Sequence, residues 1–356
     1  MDFAFLAFLI LGTWASQAMS RTLHEAALIK THEQWMSQHG RTYANNAEKE
    51  MRLEIFKNNL KYVHKFNKEG NRTYKLGVNP FTDLTNEEFL NHFTGLKMPI
   101  RSHSTSSAGE YNTFLYKNLT ANDVPISVDW RNQGAVSNVK YQGSCASCWA
   151  FCSVAAVEGL IKIKTGKQLS LSEQQLLDCS YGNGNHGCSG GLIETAFEYI
   201  IQNKGLASET SYPYQDRDDL ACQAGNKAVD PATKITGYER VPQGEEALLK
   251  AVSGQPVALG IESSWSFRMY RSGVFSGDDC GMTRPNHCIT LVGYGTTEDG
   301  TKYWLAKNSW GSWWGENGYI RILRDVQSSG GVCGLAIHAS YPTFTTTTSD
   351  EYCNSV

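Results

Sequence analysis

Past its N-terminus this 356-residue chain has no stretch approaching the ~20 consecutive apolar residues that a membrane-spanning helix needs. An excess of positive charge is missing too. The formal net charge is −3, mildly basic before residue 124 and acidic after it, which argues against a nucleic-acid or anionic-membrane partner. No finger-type Cys-x-x-Cys…His spacing occurs beyond Cys145 and Cys148, so zinc does not account for the ten cysteines. Neither a metal nor a cofactor is expected. The 41% of hydrophobic residues excludes general disorder and supplies a large core. The length suits two domains, or one domain preceded by a pro-region.

Phe3 to Ile10 is almost wholly apolar, and Ser16-Gln17-Ala18 offers small residues for cleavage. Residues 1–18 therefore read as a signal peptide, although Asp2 stands where a basic side chain is usual. Entry into the secretory pathway as a soluble, disulfide-bearing species is the expectation. Residues 28–67 form a charged amphipathic helical block, in which Glu48, Arg52, Phe56, Asn59, Val63 and Asn67 share one face. Gly77, Asn79, Phe81 and Asp83 alternate as in a strand, and the Ser/Thr-rich stretch Arg101 to Glu110 reads as a linker. Asn71-Arg72-Thr73 and Asn118-Leu119-Thr120 are glycosylation sequons, with Asn71 and Asn118 as acceptors.

The chain is organised around Gln142 to Cys152. A polar loop runs here into an apolar-periodic helix of about four turns, with Ser147 at the N-cap, Cys148 in the first turn and Gly166 as the stop. The positive end of the helix dipole favours a thiolate at Cys148. Leu171 to Cys179 and Glu194 to Asn203 read as further helices, followed by short strands at Pro256–Ile261, Ile289–Gly293, Tyr303–Lys307 and Tyr319–Ile322. A helical half before a β-rich half implies an α+β protein of two subdomains. Taken singly, Cys148 reads as a disulfide cysteine, His287 as a core histidine, Asn308 as a turn residue and Gln142 as a surface polar.

Together, Gln142-Gly143-Ser144-Cys145-Ala146-Ser147-Cys148-Trp149, Asn286-His287-Cys288 and Asn308-Ser309-Trp310 resemble the papain-like cysteine proteases. The face from Glu48 to Asn67 and the run Gly77 to Asp83 resemble two pro-region motifs of the cathepsin L-like branch, in a plant-type preproenzyme. The resemblance implies a papain-like α+β fold, helical half about 124–235 and β-barrel-like half about 236–342. A mainly helical inhibitory prosegment (19–123) would precede it and a flexible tail (343–356) follow it. Ser127 to Arg131 resembles the first mature strand, which puts the mature N-terminus near Val124 and Pro125. Met98 to Arg101 resembles a plant vacuolar sorting tetrapeptide. The one departure in the active-site motif is Ala146, where the family usually has glycine; an ordinary negative φ is expected there.

The resemblance also implies roles. Cys148 and His287 would form a thiolate–imidazolium pair, oriented by Asn308 and shielded by Trp310; Gln142 and the Cys148 N–H would serve the oxyanion. Substrate would lie along Gly190, Gly191 and Asn286. Leu192, Ile193, Gly260, Pro285 and His338 would line an apolar pocket for P2, the second side chain before the scissile bond. At pH 5 a protonated His338 would read an acidic P2, unless it turns to solvent. Family spacing pairs Cys145 with Cys188, Cys179 with Cys222 and Cys280 with Cys333. Cys152 and Cys288 are expected as buried thiols in preference to an extra bridge, and Cys353 as exposed or lost with the tail. The expected activity is that of a cysteine endopeptidase made as a zymogen. Its compartment would be acidic, vacuole- or lysosome-like, or extracellular. Its partners would be peptide and protein substrates, its own prosegment and protein protease inhibitors, and it would act as a monomer. In acid, loss of charge at Asp83 and at Glu48, which faces Arg52, would release the prosegment. The alternatives are an inactive storage or binding homologue and a transpeptidase on the same scaffold.

Overall fold

The computed structural model describes residues 23, 25–98, 114–120, 122–182, 184–226, 229–281 and 284–344. The signal peptide, the linker, the sorting tetrapeptide beyond Met98, Cys353 and the tail beyond Phe344 lie outside the described residues. Two compact units form, one from residues 1–70 with 78–85 and the other from 71–77 with 86–356.

In the first unit the expected helical block is two helices, one over 25–39 and α1 (Asn46–Lys68), interrupted where Gly40 takes a positive φ of 61°. Asn45 caps α1 by accepting from the Glu48 N–H, and Glu48 Oε2 accepts in return from the Ala44 N–H at 2.8 Å. Trp35, Phe56 and Leu60 form the core between the helices. The predicted strand from Gly77 to Asp83 is instead irregular chain leading into a turn over Pro80 to Asp83, which α1 and the preceding helix pin. Asn59 Nδ2 donates to the carbonyls of Thr82 (2.8 Å) and Leu84 (3.1 Å), Arg52 donates to Asp83 O and Trp35 Nε1 to Asn79 O. The alternation serves turn hydrogen bonds, among them Phe81 N–H to Asn79 Oδ1, and no sheet. The Asp83 carboxyl accepts from Tyr43 Oη at 3.0 Å and lies 3.7 Å from Arg41 Nη2. Burial nevertheless pushes its pKa up against Arg41, Tyr43 and Arg52.

The second unit holds strand β1 (Tyr74–Leu76), helix α2 (Asn86–Phe93) and β2 (Val128–Asp129). Its central helix, α3 (Cys148–Thr165), is buried from Cys148 to Ile161 at every residue but the half-buried Ala155, as an apolar helix enclosed by its own domain must be. It stops at Gly166, whose φ of 74° suits a left-handed cap. Helices α4 (Glu173–Cys179) and α5 (Ile193–Gln202) complete the helical half. Leu171 lies outside α4 and pairs with Ser208.

The other half contains β3 (Gly237–Arg240), α6 (Glu245–Gly254), β4 (Val257–Ile261), α7 (Trp265–Arg268), β5 (Tyr270–Phe275), β6 (His287–Thr296), β7 (Lys302–Lys307), β8 (Tyr319–Leu323) and β9 (Ala339–Thr343). One sheet runs in the order β1-β5-β8-β7-β6-β4-β9-β3, with β2 paired to β6. Strand β6 is buried along nearly its whole length, and α3 packs across it, with Thr290 Oγ1 donating to Cys152 O at 3.2 Å. That contact brings the start of α3 to the start of β6.

Four disulfides are present among the described residues: Cys145–Cys188, Cys179–Cys222, Cys280–Cys333 and Cys152–Cys288. The last corrects the expectation of two buried thiols. Because α3 crosses β6 there, the two Cα atoms lie 5.9 Å apart, within disulfide reach. Cys148 is left as the free thiol among the described cysteines.

Candidate active site

Cys148 opens α3 and is fully buried. Ser147 occupies the N-cap position but makes no side-chain cap; its hydroxyl meets Tyr214 Oη at 2.8 Å instead. His287 begins β6, and its Nε2 lies 2.8 Å from Asn308 Oδ1. That oxygen also accepts from the Ser309 N–H at 2.8 Å, which fixes the amide's orientation. An amide oxygen only accepts, so Nε2 carries the proton and Nδ1 is left as a bare acceptor with no hydrogen-bond partner among the described residues. Trp310 stacks on the imidazole at 4.4 Å between ring centroids and is itself fully buried.

Gln142 is clamped on both sides. Its Oε1 accepts from Ser309 Oγ at 2.7 Å, its N–H donates to Ser309 O at 2.8 Å, and Tyr214 Oη donates to its carbonyl at 2.7 Å. Its Nε2 donates to Cys145 O at 2.8 Å and, more weakly, to Phe93 O at 3.4 Å. Phe93 O also accepts from Trp310 Nε1 at 3.2 Å. The backbone after α2 thus threads the cleft.

Residues 95–97 follow the glycine wall. Gly191 N–H donates to Gly95 O (2.9 Å) and Lys97 N–H to Gly191 O (2.8 Å), a parallel bridge, while on the opposite side Leu96 N–H donates to Asn286 O (3.0 Å). Gly95 packs so tightly that an added Cβ would sit 1.8 Å from Ala146 O. Gly190, at φ +102°, would meet Gly95 O at 2.5 Å in the same way. The Leu96 side chain is buried in one apolar cluster with Ile193, and a Cβ on Gly260 would come within 2.6 Å of it and 2.9 Å of Pro285.

Of the predicted cleft residues, Gly190, Gly191, Gly260 and Asn286 meet this segment and Ile193 shares its cluster. Leu192 is turned against Gly184 instead. His338 does not turn to solvent: it is buried, with Nε2 3.3 Å from Glu194 Oε2. Ser340 Oγ donates to Glu194 Oε1 at 2.6 Å and Arg240 stands nearby. Burial alone would raise the Glu194 carboxyl, but His338, Ser340 and Arg240 together hold it down at about 2. Glu194 was not singled out from the sequence, where it reads as an ordinary acid in a helix's first turn. Asp216 was missed as well. At φ 56° its carboxylate accepts from the Ser144 (3.1 Å) and Cys145 (2.9 Å) N–H groups, over a Gly143 with no room for a Cβ. Ala146 has no positive φ, as expected.

Burial pushes the Cys148 thiol up to about 11, against the backbone N–H groups of Cys288, Gly95, Trp149 and Leu96. It pushes His287 down to about 4, against the Asn308 contact. In the covered cleft burial therefore works against the charged form of both groups. Desolvation here outweighs the helix dipole.

Residues 124–343 match the family model described as papain family cysteine protease, and residues 32–89 match the cathepsin propeptide inhibitor domain. The chain belongs to the papain family of cysteine proteases. It is 47% identical over 344 residues to the senescence-specific cysteine protease SAG12 of Arabidopsis thaliana, covering 94% of this chain and 97% of that protein. It is 43% identical to ananain of Ananas comosus, with 96% of each covered. Among solved structures, the proform of the ragweed pollen allergen Amb a 11 superposes with a TM-score of 0.81 at 42% identity, covering 91% of this chain and 96% of that one. The recombinant stem bromelain precursor gives 0.79 at 42% identity, covering 90% and 100%. The protein is thus a cysteine protease carried as a zymogen with its own inhibitory prosegment, and an inactive storage homologue is not favoured.

Proposed function

We propose that Cys148 is the nucleophile, His287 the base and acid, and Asn308 the residue that orients it, in an endopeptidase that prefers apolar P2 side chains. The observation that carries this reading is the seat of Leu96. An extended segment of the chain itself lies across Cys148 with a leucine in the pocket beside Gly260, held by Gly191 and Asn286. The backbone N–H groups of Gly95 and Leu96 are among those that act on the Cys148 thiol there.

When the prosegment leaves, water re-enters, the desolvation penalty on charge falls and Cys148 passes its proton to His287 Nδ1. The thiolate adds to the substrate carbonyl, and the negative charge growing on oxygen is met by Gln142 Nε2 and the Cys148 N–H. A donor of this kind typically contributes about 3 kcal/mol to the transition state. His287 returns the proton to the leaving amine and then activates the water that cleaves the thioester. Asn308 keeps Nδ1 toward the sulfur throughout, and Trp310 keeps water from the Asn308 contact.

The precursor is proposed to travel the secretory pathway to an acidic vacuole-like compartment or the exterior, glycosylated at the exposed Asn71 and Asn118. There it would act as a monomer on proteins, subject to protein inhibitors, with a mature chain beginning near Val124. Hydrolysis of a P2-Leu peptide by acid-treated full-length protein tests the core of this reading. Activity should vanish with a thiol alkylator and fall at least about a thousandfold in Cys148→Ala. Activity surviving either treatment removes Cys148 as nucleophile.

A further inference from the structure

Cys145–Cys188 and Cys179–Cys222 lie within the helical half and Cys280–Cys333 within the sheet half. Cys152–Cys288 alone among these four joins the halves, spanning 136 residues of sequence. Its placement is specific. Cys152 lies one helical turn after Cys148, and Cys288 directly follows His287. Beside the bridge, Thr290 Oγ1 donates to Cys152 O at 3.2 Å across the same crossing. Cys288 is therefore bonded to the base through its peptide and to the nucleophile's helix through its side chain. Both cysteines are buried, at 3% and 1% exposure, out of reach of substrate.

We propose that the Cys152–Cys288 bridge is a positioning element for the nucleophile–base pair. Once the prosegment has left, it holds the Cys148 sulfur against His287 Nδ1 and so sets how far into acid the thiolate–imidazolium pair survives. This rests on the roles given above to Cys148 and His287. The attraction between the two charges falls with distance, and each lowers the cost of the other. A free interface between α3 and β6 would lengthen their mean separation, so the thiol would need a higher pH to ionise.

Other charges do not set this balance. The largest causes of the Cys148 and His287 shifts are burial, backbone N–H groups and Asn308. The ionisable groups at the same interface pair with one another. Lys140 Nζ meets Glu173 at 2.8 Å, Glu158 at 3.5 Å and Glu209 at 3.7 Å, and Lys307 Nζ donates to Ser137 Oγ at 2.8 Å. Glu194 and His338 pair with each other.

The test uses full-length protein carrying Cys152→Ala with Cys288→Val, or Cys152→Val with Cys288→Ala, each acid-processed and compared with wild type. These pairs remove the bond while keeping apolar volume. The acid limb of kcat/KM, and that of Cys148 alkylation by iodoacetamide, should move up by about half to one pH unit. Below the wild-type acid limb this means a loss of about three- to tenfold in kcat/KM, mostly in kcat, with wild-type behaviour restored well above the limb. An unchanged acid limb, with or without a lower Tm, overturns the proposal and leaves a structural bridge only. Peptide mapping of unreduced wild type needs no variant to fold. It should find Cys152 linked to Cys288, and alkylation of either one in the denatured, unreduced protein overturns the proposal as well. Activity retained in Cys148→Ala would instead remove the assignment beneath it.

Discussion

At the scale of single residues, the buried Glu194–His338 pair makes the clearest prediction. The Glu194 carboxyl is held at about 2 in the folded protein, below the ordinary glutamate value near 4.3. A depressed carboxylate contributes stability that is complete above its unfolded pKa and is lost as pH falls through the folded one. Wild type should thus lose part of its Tm between about pH 4.5 and pH 2, and Glu194→Gln should flatten that stretch of the Tm–pH curve. His338→Ala leaves the buried carboxylate short of a partner and should cost about 3 kcal/mol at pH 5, read from denaturant unfolding. A variant as stable as wild type would show that the two do not act as a pair. Asp216 belongs to the same scale. Asp216→Ala removes both acceptors from Ser144 and Cys145 N–H, and should lower kcat about tenfold or more with KM little changed. Neither acid was legible beforehand, because its role comes from what the fold brings to it. Cys148, His287, Asn308 and Gln142 were legible as a set through their order and flanking residues, and individually they were not.

At the scale of elements, the helix opening at Cys148 was readable because its caps and apolar run are local properties. The run from Gly77 to Asp83 was misread as a strand because alternation does not distinguish a pleat from side chains that bind their own backbone. The segment Gly95 to Lys97 had no local signal at all; its extended form comes from Gly191 and Asn286 on either side. Gly95→Ala places a methyl group against Ala146 O and should weaken inhibition without touching the mature enzyme. Adding the variant prosegment as a separate peptide to mature enzyme would measure this. A Ki within twofold of the wild-type peptide would count against close packing at Gly95. Leu96→Ala should raise the same Ki by at least about thirtyfold, the low end of what losing a buried leucine side chain costs.

At the scale of the whole molecule, α+β architecture and the two halves followed from the run of helices before strands. The bridge between the halves did not, because two cysteines far apart in sequence announce no partner until helix and strand cross. Acid maturation also changes its explanation. The Asp83 pKa is raised in the folded first unit, so the folded form binds a proton more readily than the unfolded one. Stability from this group is complete in acid and lost as pH rises, the opposite of a trigger for release. Asp83→Asn precursor should therefore mature at pH 4.5 at least as fast as wild type, followed by gel and N-terminal sequencing. Failure to mature would restore Asp83 as the trigger.

The seat of Leu96 binds two inherited traits together. On the proposed P2 reading, the same few contacts around Gly260 decide both which side chain the mature enzyme accepts and how firmly the precursor stays silent. A substitution that reshapes this pocket for a new diet of substrates also loosens the lock, unless position 96 changes with it. On that reading appetite and restraint are in this chain one trait, and selection on either moves both.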